Sequence, residues 1–91
     1  MDIKKYSLDM EDLEFIIDLL IAFSHGTEIE FECLGKDYFV SGSTYDITVQ
    51  ECNENAEKHT YHLPEDFFEQ FMIDGKPFIE RLNDIISYSI L

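Results

Sequence analysis

Apolar residues recur at helical spacing near the start of the chain. Between residues 8 and 25 they return every three or four positions, which predicts an α-helix. Ser7 or Asp9 can cap its start, and Gly26 suits its end because glycine readily adopts the left-handed conformation beyond a last turn. The periodic positions are Met10, Leu13, Ile17, Leu20 and Ile21, and the apolar face is widened by Phe15, Ile16, Leu19 and Phe23. We therefore expect a helix that the rest of the fold covers well.

Strict alternation of apolar and acidic residues follows. Residues 28–33 read EIEFEC. Successive side chains of a β-strand point to opposite faces of its sheet, so this strand has one apolar face and one row of carboxylates. The row consists of Glu28, Glu30 and Glu32.

Turn residues and further alternation extend this strand into an antiparallel sheet. With Gly35–Lys36 as the two central turn residues, Phe31 lies opposite Val40 in a hairpin. Residues 45–52 predict a third strand, and residues 59–63 predict a short fourth strand or an extended lead-in. The residues expected on the inner face include Ile29, Phe31, Val40, Tyr45, Ile47 and Val49.

The last third of the chain predicts two helices. Pro64 suits a first helical turn, and Asp74–Gly75 is expected to end that helix. Lys76–Pro77 then starts the second helix. The sequence thus predicts a single α+β domain over residues 1–91, with an N-terminal helix, a three- or four-stranded antiparallel sheet and two C-terminal helices.

The net charge of the chain limits the classes of partner that the protein can bind. The chain has 20 acidic and 6 basic residues, a formal net charge of −14. Such a surface repels nucleic acid and anionic membranes and attracts basic proteins or cations. The longest apolar stretch, residues 15–23, is far shorter than the roughly 20 residues that span a bilayer. The acidic N-terminal residues are unlike a secretory leader, so we expect a cytoplasmic protein.

No pattern predicts catalysis or a cofactor. Strand parity places Cys33 and Cys52 on opposite faces, so both are expected to be free thiols. His59 and His62 with these cysteines suggest a zinc site, but their spacing matches no standard pattern and the histidines also differ in parity. We therefore expect a protein that is not an enzyme and that holds no metal.

The acidic row supports two hypotheses. In the predicted register its neighbours are Ser43, Ser41 and Phe39, so no opposite charge offsets the repulsion. Alternate strand residues lie about 6.6–6.8 Å apart, similar to successive phosphates of a nucleic-acid strand. A decoy of nucleic acid would bind a basic partner through Glu28, Glu30, Glu32, Glu11, Glu14, Asp18, Asp46 and Phe39. Here Glu11, Glu14 and Asp18 form an acidic stripe expected on the helix side opposite the core. Alternatively, the chain is a housekeeping interaction module that forms a homodimer through exposed aromatic residues such as Phe39 and Tyr88, and its acidity serves only solubility.

Two motifs resemble a known group of sequences. IEFECLGKDYFV (29–40) and MIDGKPFIERLNDI (72–85) resemble the IEFEYNGKxYxI and IDGKxLxEIWDDI motifs of small acidic proteins from Gram-positive bacteria and their phages. Pro77 and Leu82 depart from that pattern. In size, charge and element order the chain also resembles phage-encoded anti-CRISPR inhibitors of the type II effector nuclease. That looser resemblance implies a basic nucleic-acid-binding protein of a host or defence system as the partner.

Overall fold

One antiparallel sheet with helices on its inner face forms the fold. The computed structural model describes residues 6–42, 46–53 and 55–91. The helices are α1 (Met10–Ser24) and α2 (Pro64–Gln70). The strands are β1 (Glu28–Cys33), β2 (Lys36–Gly42), β3 (Ile47–Glu51), β4 (His59–Tyr61), β5 (Met72–Ile73), β6 (Lys76–Pro77) and β7 (Ile85–Ile90). Two 3₁₀ turns, Phe78–Glu80 and Leu82–Asp84, connect β6 to β7.

The main sheet has five strands in the order β4-β3-β2-β1-β7, and β5 and β6 form a separate pair. All of these pairings are antiparallel. The α+β class, the N-terminal helix and the antiparallel sheet are confirmed, but the prediction of three or four strands is wrong because the C-terminal strand β7 joins the sheet beside β1. The inner face is also as predicted, because Ile29, Phe31, Val40, Ile47 and Val49 are all buried. Tyr45 and Ser43 lie outside the described residues.

Local signals define both ends of α1. The Asp9 carboxylate accepts from the Asp12 backbone N–H at 2.8 Å, and the Asp12 carboxylate accepts from the Asp9 N–H at 3.2 Å. This reciprocal capping box satisfies backbone donors that the first turn leaves without a helical partner. At the other end Gly26 has φ +68°, the left-handed conformation expected there.

The buried face of α1 differs from the predicted one. Ile16 is 3% exposed, whereas Ile17 is 54% and Met10 is 70% exposed. The core positions are Asp12, Phe15, Ile16, Leu19, Ala22 and Phe23. The expectation of a well-covered helix is therefore wrong, because its outer side exposes Met10, Ile17 and Ile21 beside the acidic stripe. The two phenylalanines decide the orientation, since each ring buries a large area against the rings of the C-terminal half.

The first hairpin turn lies one residue earlier than predicted, which shifts the pairing along β2 by two residues. Its central residues are Leu34 (φ 52°) and Gly35 (φ 79°), and Phe31 lies opposite Tyr38. A two-residue turn of this kind has positive φ at both central positions, so glycine is well placed at the second. Because the shift is by two residues, every side chain keeps the face that was predicted.

The predicted second C-terminal helix is wrong. Asp74 (φ 49°) and Gly75 (φ 86°) form a tight turn between β5 and β6 instead of separating two helices. The Arg81 guanidinium holds that turn, donating to the backbone oxygens of Ile73 and Asp74, each at 2.9 Å. The chain then leaves the 3₁₀ turns and adds β7 to the sheet beside β1.

An aromatic core joins the two halves of the chain. Phe67, Phe68 and Phe78 are fully buried. The Phe78 ring lies 4.7 Å from that of Phe67 and 5.3 Å from that of Phe31, measured between centroids. These contacts fix the C-terminal segment on the inner face of the sheet.

Candidate functional site

The acidic row lies along β1 on the outer face of the sheet. Glu28 and Glu30 are exposed and Glu32 is half-buried, while the residues between them are buried. β1 is flanked by β2 and β7, so the row runs between two neighbouring strands and away from either sheet edge. Pairing on both sides holds the three carboxylates at the fixed repeat of the strand.

The neighbours of this row provide no opposite charge. On β2 they are Ser41, Phe39 and Asp37, and on β7 Glu30 and Glu32 lie opposite Ser89 and Ser87. Directly opposed like charges destabilise a sheet. Glu32 and Asp37 are such a pair, so this part of the face stores electrostatic repulsion that an external cation would relieve.

Asp37 is a candidate site residue that sequence reasoning missed. The register predicted from a Gly35–Lys36 turn placed Phe39 opposite Glu32. The observed register places Asp37 there, and Asp37 is exposed. The preference for glycine at the second turn position is the signal that identifies this residue. We name the set Glu28, Glu30, Glu32 and Asp37 the outer acidic face.

Among the described residues, Lys58 lies on the other half of the outer surface. Lys58 lines a shallow depression together with Phe39, Ser41, Thr48 and Gln50 on β2 and β3. Phe39 is half-buried and lies opposite Glu30. The outer surface thus divides into the outer acidic face, on β1 and the start of β2, and a polar half on the rest of β2 and on β3, with the Phe39 ring at the boundary.

The exposed thiol of Cys52 lies next to the outer acidic face. The Cys52 backbone N–H donates to the Asp37 backbone oxygen at 2.7 Å, and Cys52 shares a shallow pocket with Glu30 and Asp37. Desolvation and, after it, the negative charges of Glu30 and Asp37 raise the pKa of this thiol. Cys52 is therefore less ionised at neutral pH than an ordinary cysteine, and its nucleophilicity is correspondingly low.

The acidic stripe of α1 lies on a different surface. Glu11, Glu14 and Asp18 line an open groove of about 450 Å³ between α1 and β7. The Tyr88 hydroxyl donates to the Asp18 carboxylate at 3.2 Å, and its ring lies 4.5 Å from that of Phe15. Burial, then the hydrogen bond to Asp18, raise the pKa of Tyr88.

β7 separates the two acidic surfaces. Ser87 and Ser89 accompany the carboxylates of β1, whereas Tyr88 turns to α1. The strand row and the helix stripe therefore do not form one continuous charged surface. Asp46 is also apart from both, because it precedes β3 and its Oδ1 lies 2.8 Å from His62 Nδ1.

The histidines and cysteines are spread over the fold. Cys33 is buried and Cys52 exposed, and neither is bridged, as strand parity predicted. His59 lies against the Phe71 ring, with 6.1 Å between centroids, while His62 contacts Asp46. Within residues 6–42, 46–53 and 55–91, no three histidine, cysteine or carboxylate side chains are grouped closely enough to hold a metal ion.

Comparison with other proteins provides no match. No protein-family model, no curated protein and no solved structure is significantly similar to the chain. Among the described residues, neither helix is both long and apolar enough to cross a membrane. The functional inference therefore depends on the surfaces described above.

Proposed function

We propose that the protein is a decoy of nucleic acid that binds the basic groove of a nucleic-acid-binding protein and excludes its normal ligand. The outer acidic face is the surface that makes this contact. Its partner is a host or defence protein whose groove presents lysine and arginine side chains at phosphate spacing. In this respect the proposal follows the resemblance to anti-CRISPR inhibitors.

The observation that carries the proposal is the uncompensated row on β1. Glu28, Glu30 and Glu32 repeat at about 6.6–6.8 Å on a strand held from both sides, and Asp37 adds a fourth carboxylate opposite Glu32. The sheet would gain stability from cations at the neighbouring positions, yet it has serine, phenylalanine and aspartate there. A basic partner supplies the missing charges.

Electrostatics and packing have separate roles in this mechanism. The negative field accelerates the encounter with a basic groove, by tens to about a thousandfold in known cases. Dissociation depends instead on the contacts that are buried once the proteins have met. Phe39, half-buried at the edge of the acidic half, is the apolar side chain best placed for such a contact.

A second function is favoured by one observation. The outer side of α1 exposes Met10, Ile17, Leu20 and Ile21, a contiguous set by helical spacing. On this alternative the protein is an interaction module that binds a partner through apolar contacts, and its acidity serves solubility. An apolar contact persists at 1 M salt, where the Debye length is about 3 Å, while a contact driven by charge weakens sharply.

The test uses two variants with the same change in charge. The parent protein, immobilised, captures its partner from a lysate of a Gram-positive bacterium, and the purified partner is then bound to each variant. Glu28→Gln, Glu30→Gln and Glu32→Gln together remove three charges from the outer acidic face. The matched control, Glu11→Gln, Glu14→Gln and Asp18→Asn, removes three charges from the stripe on α1.

We expect the strand variant to bind at least about tenfold more weakly at low salt, mainly through slower association, and to flatten the dependence of affinity on salt. The control should retain most of the parent affinity. Surface plasmon resonance at several salt concentrations measures both. If the strand variant binds as tightly as the parent, the row is only a solvated face and the decoy proposal is wrong.

A further inference from the structure

β7 is an unprotected edge of the sheet. In the described part of the chain it pairs with β1 alone, so its second side is open. Natural edge strands are usually short, charged, interrupted by proline or covered, which prevents them from pairing with other chains. β7 has six residues, and the segment 85–91 (IISYSIL) contains no charge and no proline. The opposite edge, β4, has only three residues.

The hydrogen-bond pattern identifies the free backbone groups of β7. The Leu91 N–H donates to the Glu28 backbone oxygen at 2.8 Å, so the backbone N–H and C=O groups of this pair point inward, into the β1–β7 ladder. Inward and outward pairs alternate in an antiparallel ladder. The N–H and C=O groups of Tyr88 and Ile90 therefore point to the open side, where they can accept another strand.

The groove beside β7 indicates which side chains an added strand would carry. Its floor includes the apolar side chains of Phe15, Leu82 and Tyr88, and its wall on α1 has the three carboxylates of the acidic stripe. Ile86 at its end is 71% exposed. Alternate side chains of an added strand would point into the groove, so long cationic side chains fit there, with their stems on the apolar floor and their charges at the carboxylates.

Charge argues against a second copy of this chain as the occupant. Two copies related by a two-fold axis through β7 would each bring Glu11, Glu14 and Asp18 to the same interface. No lysine or arginine is among the described residues that line the groove, so the groove of a second copy does not supply the missing charges. Like charges brought together in this way oppose association.

We propose that β7 and the adjoining groove bind an extended, lysine- or arginine-rich segment of a partner protein, which pairs with β7 as a sixth strand. The mode of binding is β-strand addition: backbone hydrogen bonds to Tyr88 and Ile90 hold the segment, and the carboxylates of α1 select its charge. This contact is independent of the outer acidic face.

The first test uses a defined probe, a fluorescein-labelled seven-residue peptide of alternating lysine and valine. Its affinity for the full chain is measured by fluorescence anisotropy at low salt. We expect saturable binding that weakens at least tenfold when the peptide is N-methylated at alternate residues, since this removes the backbone donors of one edge. A peptide with glutamate in place of lysine should not bind.

Variants of the protein locate the contact. Ile90→Pro removes an outward-pointing backbone N–H and leaves the hydrogen bonds between β7 and β1 intact, whereas Ile90→Ala keeps that N–H. We therefore expect the affinity for the peptide to fall at least tenfold only in the proline variant. Glu11→Gln, Glu14→Gln and Asp18→Asn together should weaken peptide binding at least fivefold. Glu28→Gln, Glu30→Gln and Glu32→Gln should leave it unchanged within about twofold.

Three results would overturn this proposal while leaving the decoy function open. One is equal binding of the N-methylated and parent peptides. Another is an equal loss of peptide affinity when the three charges are removed from β1 and when they are removed from α1, which would mean that net charge alone attracts the peptide. The third is a parent protein that sediments as a dimer while the Ile90→Pro variant sediments as a monomer, which would show that β7 pairs with a second copy of the chain. Circular dichroism of each variant verifies that it is folded, and the N-methylated peptide tests the proposal on the parent protein itself.

Discussion

At the scale of single residues, Gly42 shows how closely α1 approaches the sheet. A Cβ atom at this position would lie 2.4 Å from Cδ1 and 3.0 Å from Cα of Phe23. The first distance is far below van der Waals contact, and the second involves backbone that cannot move aside easily. Glycine is therefore required here for packing rather than for a special backbone angle.

We predict that Gly42→Ala destabilises the protein by about 1–3 kcal/mol, the usual cost of forcing an extra group into a packed core. Urea denaturation followed by circular dichroism measures the change. Combining it with Phe23→Ala removes the ring that clashes, so the alanine should cost at least about 1 kcal/mol less in that background. An alanine variant as stable as the parent would show that α1 lies further from β2.

At the residue scale, some turns could be predicted from the sequence and others could not. Asp74–Gly75 is a strong hairpin signal, so its turn was available from the sequence, although helical spacing on both sides led to a different interpretation. Leu34 was not predictable in the same way, because leucine rarely adopts a positive φ. The long-range Lys36–Asp74 contact, with 3.5 Å between Nζ and Oδ1, is absent from any local pattern.

At the scale of elements, α1 contains two overlapping apolar stripes. Spacing predicted the helix and both of its ends, but it cannot decide which stripe faces the core when residues on both are apolar. The structure buries the stripe with Phe15 and Phe23, whose rings contact Phe78 and Phe67. The ring partners come from the C-terminal half, so local sequence does not contain this information.

Two neighbouring isoleucines test that orientation. Ile16→Ala should destabilise the protein by about 2–5 kcal/mol because it leaves a cavity in the core. Ile17→Ala removes the same atoms from a side chain that is 54% exposed and should cost less than about 1 kcal/mol. Comparable losses of unfolding free energy would contradict the assignment of the buried face.

The C-terminal strand shows the same limitation. The segment after Pro77 has apolar residues whose spacing predicts a helix: Phe78, Ile79, Leu82, Ile85 and Ile86. In the structure this segment forms 3₁₀ turns followed by β7, which buries backbone groups by pairing with β1. Pairing between strands more than fifty residues apart is a tertiary effect that overrides local periodicity.

At the scale of the whole molecule, the chain has a net charge of −14, and the fold places its acidic residues on separate surfaces. Strand parity alone predicted that Glu28, Glu30 and Glu32 share the outer face. Their separation from the stripe on α1 depends on the position of β7 and could not be predicted without it. The structure therefore gives two distinct acidic surfaces, and the proposed decoy contact requires only the one on β1.

Displacement of DNA tests the central proposal most directly. A fluorescently labelled DNA duplex is bound to the purified partner, and its anisotropy is followed while this protein is added. We predict that the parent releases the duplex completely near one equivalent. The Glu28→Gln, Glu30→Gln, Glu32→Gln variant should need roughly tenfold more, and the matched variant on α1 should behave like the parent. Anisotropy that stays high while this protein is shown to be bound would mean that the partner holds both ligands together, which would contradict the decoy mechanism.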